Sequence, residues 1–397
     1  MRRIGVLSAA VVLACAGVRP VGALEYTIIP IPEIIVDPNE GVTVGVLPVT
    51  LFANEEKQIR AIMAPDVRYN SIYGVYPTFR FFSYPSINEQ WKVSAGKSTQ
   101  IQEHYEGIYE LRNFYDGWLN FAGRLFREQD ETERFFGIGN TTPQADETNF
   151  TLNQYLGIVS LAVNLPDNLR VYTQFRARRV EKVKPGGVNS LPFTGTLFPT
   201  APGLNGDTMI GPTFGFAYDS RDFIDIPTEG SFFNTNIEVI DRIFGSTVSF
   251  QRYTVDGHTY HPIVRDPYIG IAAHAWVKYV EGPSNVPFYE LTSVGDVNSL
   301  RGFGSGRFRD NNGAGMQFEV RATVYQLELF GVNAAIQLAP FVDMAKVFTG
   351  SGPLLTDLHV AAGLGFRAVV RPQVVAYVDV GYGQDGEATF TGVDYPF

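Results

Sequence analysis

Apolar and polar positions alternate strictly along much of the chain. Met316, Phe318, Val320, Ala322 and Val324 share one face, against Gln317, Glu319, Arg321 and Thr323. Leu169, Val171, Thr173, Phe175 and Ala177 likewise oppose Arg170, Tyr172, Gln174, Arg176 and Arg178, and Phe233, Thr235, Ile237 and Val239 oppose Asn234, Asn236 and Glu238. Side chains of a strand point alternately to opposite faces, so each stretch predicts a strand with one apolar face and one wet face. The wet faces carry arginines and acids that a packed sandwich core cannot hold without partners. An all-β, antiparallel transmembrane barrel resolves the conflict. Its apolar side chains meet lipid, its ionic ones line a hydrated bore, and closure satisfies backbone groups that hydrocarbon cannot.

Turn-forming residues divide the pattern. Short turns are predicted at Asp116-Gly117, Pro166-Asp167-Asn168, Asp219 to Glu229, His261 to Pro267, Leu329 to Val332 and Arg371-Pro372, with longer loops over Glu128 to Asn149, Val183 to Gly206 and Glu281 to Gly315. About sixteen strands result, within the range for such barrels. The pattern does not set the register before Tyr115.

Composition narrows the class further. Of 397 residues, 13% are aromatic and only 18% charged, which excludes a disordered chain. Past the N-terminus no apolar run nears the ~20 residues that a spanning helix needs. Arg2 and Arg3, the apolar run Ile4 to Ala16 and the small residues Val21-Gly22-Ala23 read as an export leader at 1–23, cleaved after Ala23. Cys15 is the only cysteine and would leave with it, so disulfides, thiolate metal sites and a cysteine nucleophile are not expected. The net charge is −10, and the leader takes only basic residues away, so nucleic acid is not an expected partner. The expected organisation is the leader, a short periplasmic segment at 24–40, and the barrel at 41–397. The expected location is the outer membrane of a Gram-negative-type cell.

Five histidines stand at 104, 258, 261, 274 and 359. His258 and His261 bracket a strand end without an adjacent carboxylate cluster, so no metal site, cofactor or catalytic residue is assigned. There is no Gly-x-Ser-x-Gly elbow and no phosphate-cradling loop. A barrel lipase using a wall serine and histidine remains an open alternative, testable as lipid turnover lost on one serine substitution.

Four stretches in order go beyond a generic barrel: Phe135-Phe136-Gly137-Ile138-Gly139-Asn140; Tyr218 to Asp222 followed by Pro227-Thr228-Glu229-Gly230; Gly295 to Phe303; and Pro340 to Phe348. Together they resemble the BamA/TamA outer-membrane assembly superfamily, also called the bacterial surface antigen superfamily. The resemblance is strongest from about Asp207 to Phe397. It implies a sixteen-stranded barrel with a long loop folded into the bore. It also implies N-terminal periplasmic POTRA domains, for which the interval before Gly41 leaves no room. The chain therefore reads as a barrel-only member.

The resemblance also implies a loop latch. Arg301, with Gly302 and Phe303, would dock against acids of the inner wall at positions matching Glu319 and Asp343. Alternation independently puts both acids on the wet face. The ending Val393, Tyr395, Phe397 resembles the C-terminal signal of outer-membrane barrels, with Pro396 a departure that costs a ladder bond. Pro396, Gly386 and Gly392 would each weaken the junction between the last and first strands, with an ordinary turn or packing role for the two glycines the alternative. By resemblance, the expected function is insertion or passage of polypeptides through the outer membrane. Expected partners are membrane lipid, unfolded barrel clients and a separate periplasmic protein; a passive pore or structural surface barrel is the alternative.

Overall fold

The computed structural model describes residues 25–397 apart from 57, 284, 330–331, 371–373 and 394. The leader expected at 1–23, with Cys15, lies outside the described residues, as do the tips of the turns expected at 329–332 and 371–372. The main sheet holds 20 strands. Two of these are halves of one interrupted strand and one is the two-residue stretch Lys184–Pro185, so the wall runs through eighteen strands among the described residues, which corrects the expected count of about sixteen.

In chain order the wall strands are β1 (Glu25–Asp37), β2 (Gly41–Ala53), β3 (Ile59–Met63 continued by Asp66–Asn70), β4 (Gly74–Ser86), β5 (Glu89–Lys97) and β6 (Glu103–Phe114). Then follow β7 (Leu119–Phe135), β8 (Thr148–Asn164), β9 (Leu169–Val180), β10 (Asp207–Asp219), β11 (Gly230–Ile240) and β12 (Phe250–Arg265). The last six are β13 (Tyr268–Glu281), β14 (Asn312–Leu329), β15 (Val332–Phe348), β16 (His359–Val370), β17 (Val374–Gly383) and β18 (Gly386–Val393). Neighbours in the chain pair antiparallel throughout.

The alternation sorts as a barrel requires. On β14, Met316 and Phe318 are 40% and 46% exposed on the outer face, while Glu319 and Arg321 are fully buried inside. Apolar residues outside and ions inside invert the arrangement of a soluble protein. Long loops gather at one rim, where Phe135, Phe150, Met209, Phe288 and Leu291 join an apolar cluster over the bore. Most connections at the opposite rim are short.

The N-terminal reading needs correction. Residues 25–37 are not a segment preceding the barrel; they form β1, paired to β2 from Glu25↔Ala53 to Asp37↔Gly41. Pro30 and Pro32 hide this strand in the sequence, because proline cannot donate to a ladder and argues against an interior strand. Here they are tolerated on a strand with one free edge. Across that edge lies β18, the last strand. Among the described residues the two share no backbone ladder. Instead Thr391 Oγ1 accepts from Val36 N at 2.7 Å and donates to Ile34 O at 3.3 Å. The register of β1 is unbroken, so alternate residues point their backbone groups the same way. The edge that carries Val36 N is therefore the edge where Pro30 and Pro32 lack donors.

The lipid-facing assignment is tested by charge. Phe318→Arg should cost about 2–4 kcal/mol of folding stability in vesicles if the side chain sits near the bilayer midplane. Denaturant titration in vesicles measures it, and a near-zero cost would place Phe318 away from hydrocarbon.

Candidate functional site

The site forms where the loop 282–311 enters the bore. Within that loop Thr292–Val294 pairs with Phe308–Asp310 as a small hairpin, and Leu300 to Phe303 hang below it against β15, β16 and β17. Arg301 is fully buried. Its Nε donates to Asp343 Oδ2 and its Nη2 to Asp343 Oδ1, both at 2.8 Å. Its main-chain N also donates to Asp343 Oδ2, at 3.0 Å. Its Nη1 donates to Glu319 Oε2 at 2.6 Å and to Asp379 Oδ2 at 3.2 Å. The guanidinium stacks 3.6 Å from the centre of the Phe341 ring. This is the planar, two-pronged carboxylate grip that arginine provides and lysine cannot.

The cluster extends beyond the residues read from the sequence. Arg321 Nε donates to Glu319 Oε1 at 2.7 Å, and Arg367 Nη2 to Glu319 Oε2 and Asp379 Oδ2, each at 3.1 Å. Arg367 Nη1 makes a further close contact to Asp379. Three guanidiniums thus face three carboxylates, all with no exposed side-chain surface. Sequence reasoning missed Arg367 and Asp379 as cluster members. Their signal was present: each is a charged residue flanked by apolar ones in an alternating strand.

The loop is seated by backbone as well as charge. A Cβ on Gly381 would lie 1.7 Å from Arg301 O, and one on Gly383 would lie 2.4 Å from the Phe303 ring. Only glycine at these two positions of β17 lets the loop backbone lie on the wall. Gly302 fits between Ala361 and Gly383. Phe303 is buried with Leu300, Phe308 and Trp276. Further along, Arg307 pairs with Asp385 in the β17–β18 turn, and Ser305 O accepts from Asn39 Nδ2 at 2.9 Å. Asn39 lies in the β1–β2 turn, so one loop is tied to both sides of the seam. The Phe135 to Asn140 stretch braces the same loop through Gly139 N, which donates to Arg309 O at 2.7 Å, and is held to wall strand β15 through Asn140 Oδ1, which accepts from Val347 N at 2.9 Å. In the 218–230 stretch, Asp222 Oδ1 accepts from Thr228 N and Glu229 N, which shapes a turn.

A second ion cluster holds the loop at the rim. Glu290 accepts from Arg178 at 2.6 Å, Arg252 at 2.7 Å and Arg176 at 3.1 Å. Burial pushes its carboxyl upward, but the three guanidiniums outweigh this and hold it well below the usual carboxylate range.

The ending does not complete the closing strand. β18 stops at Val393, which is 68% exposed on the outside. Tyr395 and Phe397 turn into the bore. Tyr395 OH donates to Gln337 Oε1 at 2.8 Å, and its ring lies 3.8 Å beneath the Arg321 guanidinium. Phe397 O accepts from Arg321 Nη2 at 3.0 Å. Pro396 lies past the strand, so it removes no ladder bond there.

The fold and site define a transmembrane β-barrel with an ion-latched loop in its bore. The model of the Omp85 superfamily domain matches residues 87–374, and the chain belongs to that superfamily. It is thereby an outer-membrane β-barrel protein of the insertion and translocation class. BamA from Haemophilus ducreyi, in a crystal structure lacking POTRA domains 1–3, is similar over 93% of this chain and 75% of its own, with 16% identity and a TM-score of 0.56. CdiB from Escherichia coli is similar over 94% of this chain and 66% of its own, with 12% identity and a TM-score of 0.50. At these identities the likeness is one of fold. No curated protein sequence matches the chain significantly.

Arg301→Ala leaves three buried carboxylates facing two guanidiniums, and should cost about 3–5 kcal/mol. The loop should become protease-sensitive and the heat resistance of the unboiled band should fall; an unchanged digest and mobility would remove the latch. At the rim the sign is set by Glu290. A carboxylate held low contributes stability in full above its unfolded value of about 4.3, and loses it as pH falls through the folded value. Digestion with an acid-stable protease across a pH series should leave the loop intact at pH 5 and cut it only at much lower pH.

Proposed function

We propose that this chain is a non-enzymatic outer-membrane barrel that aids insertion or passage of polypeptides, with client strands entering at the β1–β18 seam. The observation that carries the reading is the seam itself. Among the described residues two strands lie side by side without a ladder, and two prolines remove donors from one edge. The opposite edge, on β18, offers backbone groups free of proline, to which an incoming strand can add by β-augmentation. Beside the seam a cavity of about 660 Å³ has a wall of mixed character, with Glu33, Arg68, Arg80 and Lys92 set among aliphatic residues such as Ile31, Leu47 and Val378. The loop and the ending occupy part of the bore, which argues against a freely open passive pore.

The purified barrel in liposomes should accelerate insertion of an unfolded barrel protein. Replacing Pro30 and Pro32 together by valine restores two donors to the seam. It should reduce that acceleration several-fold and raise the barrel's thermal stability. Steady ion conductance with no acceleration would instead make the chain a pore.

A further inference from the structure

A second group of chemistry-bearing side chains converges on the bore face of β12 and β13. Asp256 and His258 are two residues apart on β12 and share a face, and His274 stands directly opposite His258 on β13. One ligand atom from each lies within 4.8 Å of the others. The two imidazoles stack with centres 4.2 Å apart. His258 Nε2 lies 2.8 Å from Asp256 Oδ1, and His274 Nε2 lies 2.9 Å from Asp256 Oδ2.

Gln317 decides what His274 can do. Its Nε2 faces two acceptors, Val297 O at 3.1 Å and Asp343 Oδ2 at 3.4 Å, so that atom must be the amide nitrogen. Its oxygen therefore faces His274 Nδ1, at 2.9 Å, and Nδ1 must carry the hydrogen. In the neutral ring this leaves a lone pair on Nε2 aimed at a carboxylate oxygen. Something positive must sit between them: a second proton or a metal ion.

We propose that Asp256, His258 and His274 bind one divalent transition-metal ion of the Zn²⁺ class, facing the bore. Two imidazoles and one carboxylate suit such ions and leave a fourth position for water. Gln317 supplies the outer hydrogen bond by which ligating histidines are oriented. Side-chain exposures of 24% for Asp256 and 17% for His258 leave the group reachable from the bore. The Phe397 ring, 5.5 Å from His274 and 6.1 Å from His258, walls one side. Arg221 and Lys278 are the positive groups within Coulombic reach that oppose the ion. Once bound, the ion ties β12 to β13. Through Gln317, which also bonds Val297 O and Asp343, it stiffens the docked loop. His261, which sequence spacing groups with His258, points to the outer face and takes no part.

The test uses tag-free protein in detergent, stripped with chelator and titrated with zinc chloride by calorimetry. One ion per chain should bind and raise the thermal unfolding midpoint. His258→Gln and His274→Gln should abolish saturable binding, His261→Gln should leave it unchanged, and Gln317→Leu should weaken it about 10- to 100-fold. The mobility shift of unboiled samples establishes that each variant folds. Zinc-edge X-ray absorption on the unmutated protein, which needs no variant, should show two imidazole ligands. Absence of saturable binding would mean that a proton holds the place, and would overturn the proposal. So would binding that survives loss of both histidines, or a spectrum without imidazole.

Discussion

Three arginines and three acids, equal in number and with no exposed side-chain surface, are the constraint on which the rest of the structure depends. Each group on its own would be prohibitively costly in that position. Together they neutralise one another, and the geometry holds only while all six are present. Five come from β14, β15, β16 and β17; the sixth, Arg301, arrives on a loop from the rim. The loop is therefore part of the wall's electrostatics. Without it, Asp343 faces the bore with no guanidinium, and Glu319 and Asp379 each lose a bond.

That arrangement divides the barrel into unlike halves. β14 to β17 are joined by backbone ladders, with one irregularity between Thr323 and Tyr325, and by the ion cluster. Among the described residues the junction of β1 with β18 has neither, and Thr391 supplies its side-chain hydrogen bonds. The loop touches both regimes, through Asp343 and Asp379 on one side and through Asp385 and Asn39 around the seam. A docked loop thus holds the seam's rim together, and a released loop leaves it to the side-chain bonds alone. Stability is concentrated away from the place where a client strand would enter, as opening elements require.

Much of this was legible in the residues. Alternation alone assigns Phe318 to lipid and Glu319 and Arg321 to the bore, because the strand period is two and one face must be apolar. Arg301, Glu319 and Asp343 were legible through resemblance, and the two acids also through their wet-face positions. What stayed hidden depends on register. Nothing local says that Arg367 and Asp379 meet Glu319, or that His274 stands opposite His258, since both facts follow from pairing between strands. β1 was hidden because Pro30 and Pro32 imitate a linker; only a strand with one unladdered edge tolerates them. The ending misled for a related reason. Tyr395 and Phe397 have the spacing of a strand face, but Val393 is the last laddered residue, and aromatic rings find cationic partners inside.

Amide hydrogen exchange on the folded barrel in lipid tests the central claim most directly. The account predicts strong protection for Arg301 and for the ladders of β14 to β17, with fast exchange at Ile34, Val36 and the seam-facing amides of β18. Uniform protection around the whole wall, or rapid exchange at Arg301, would contradict it.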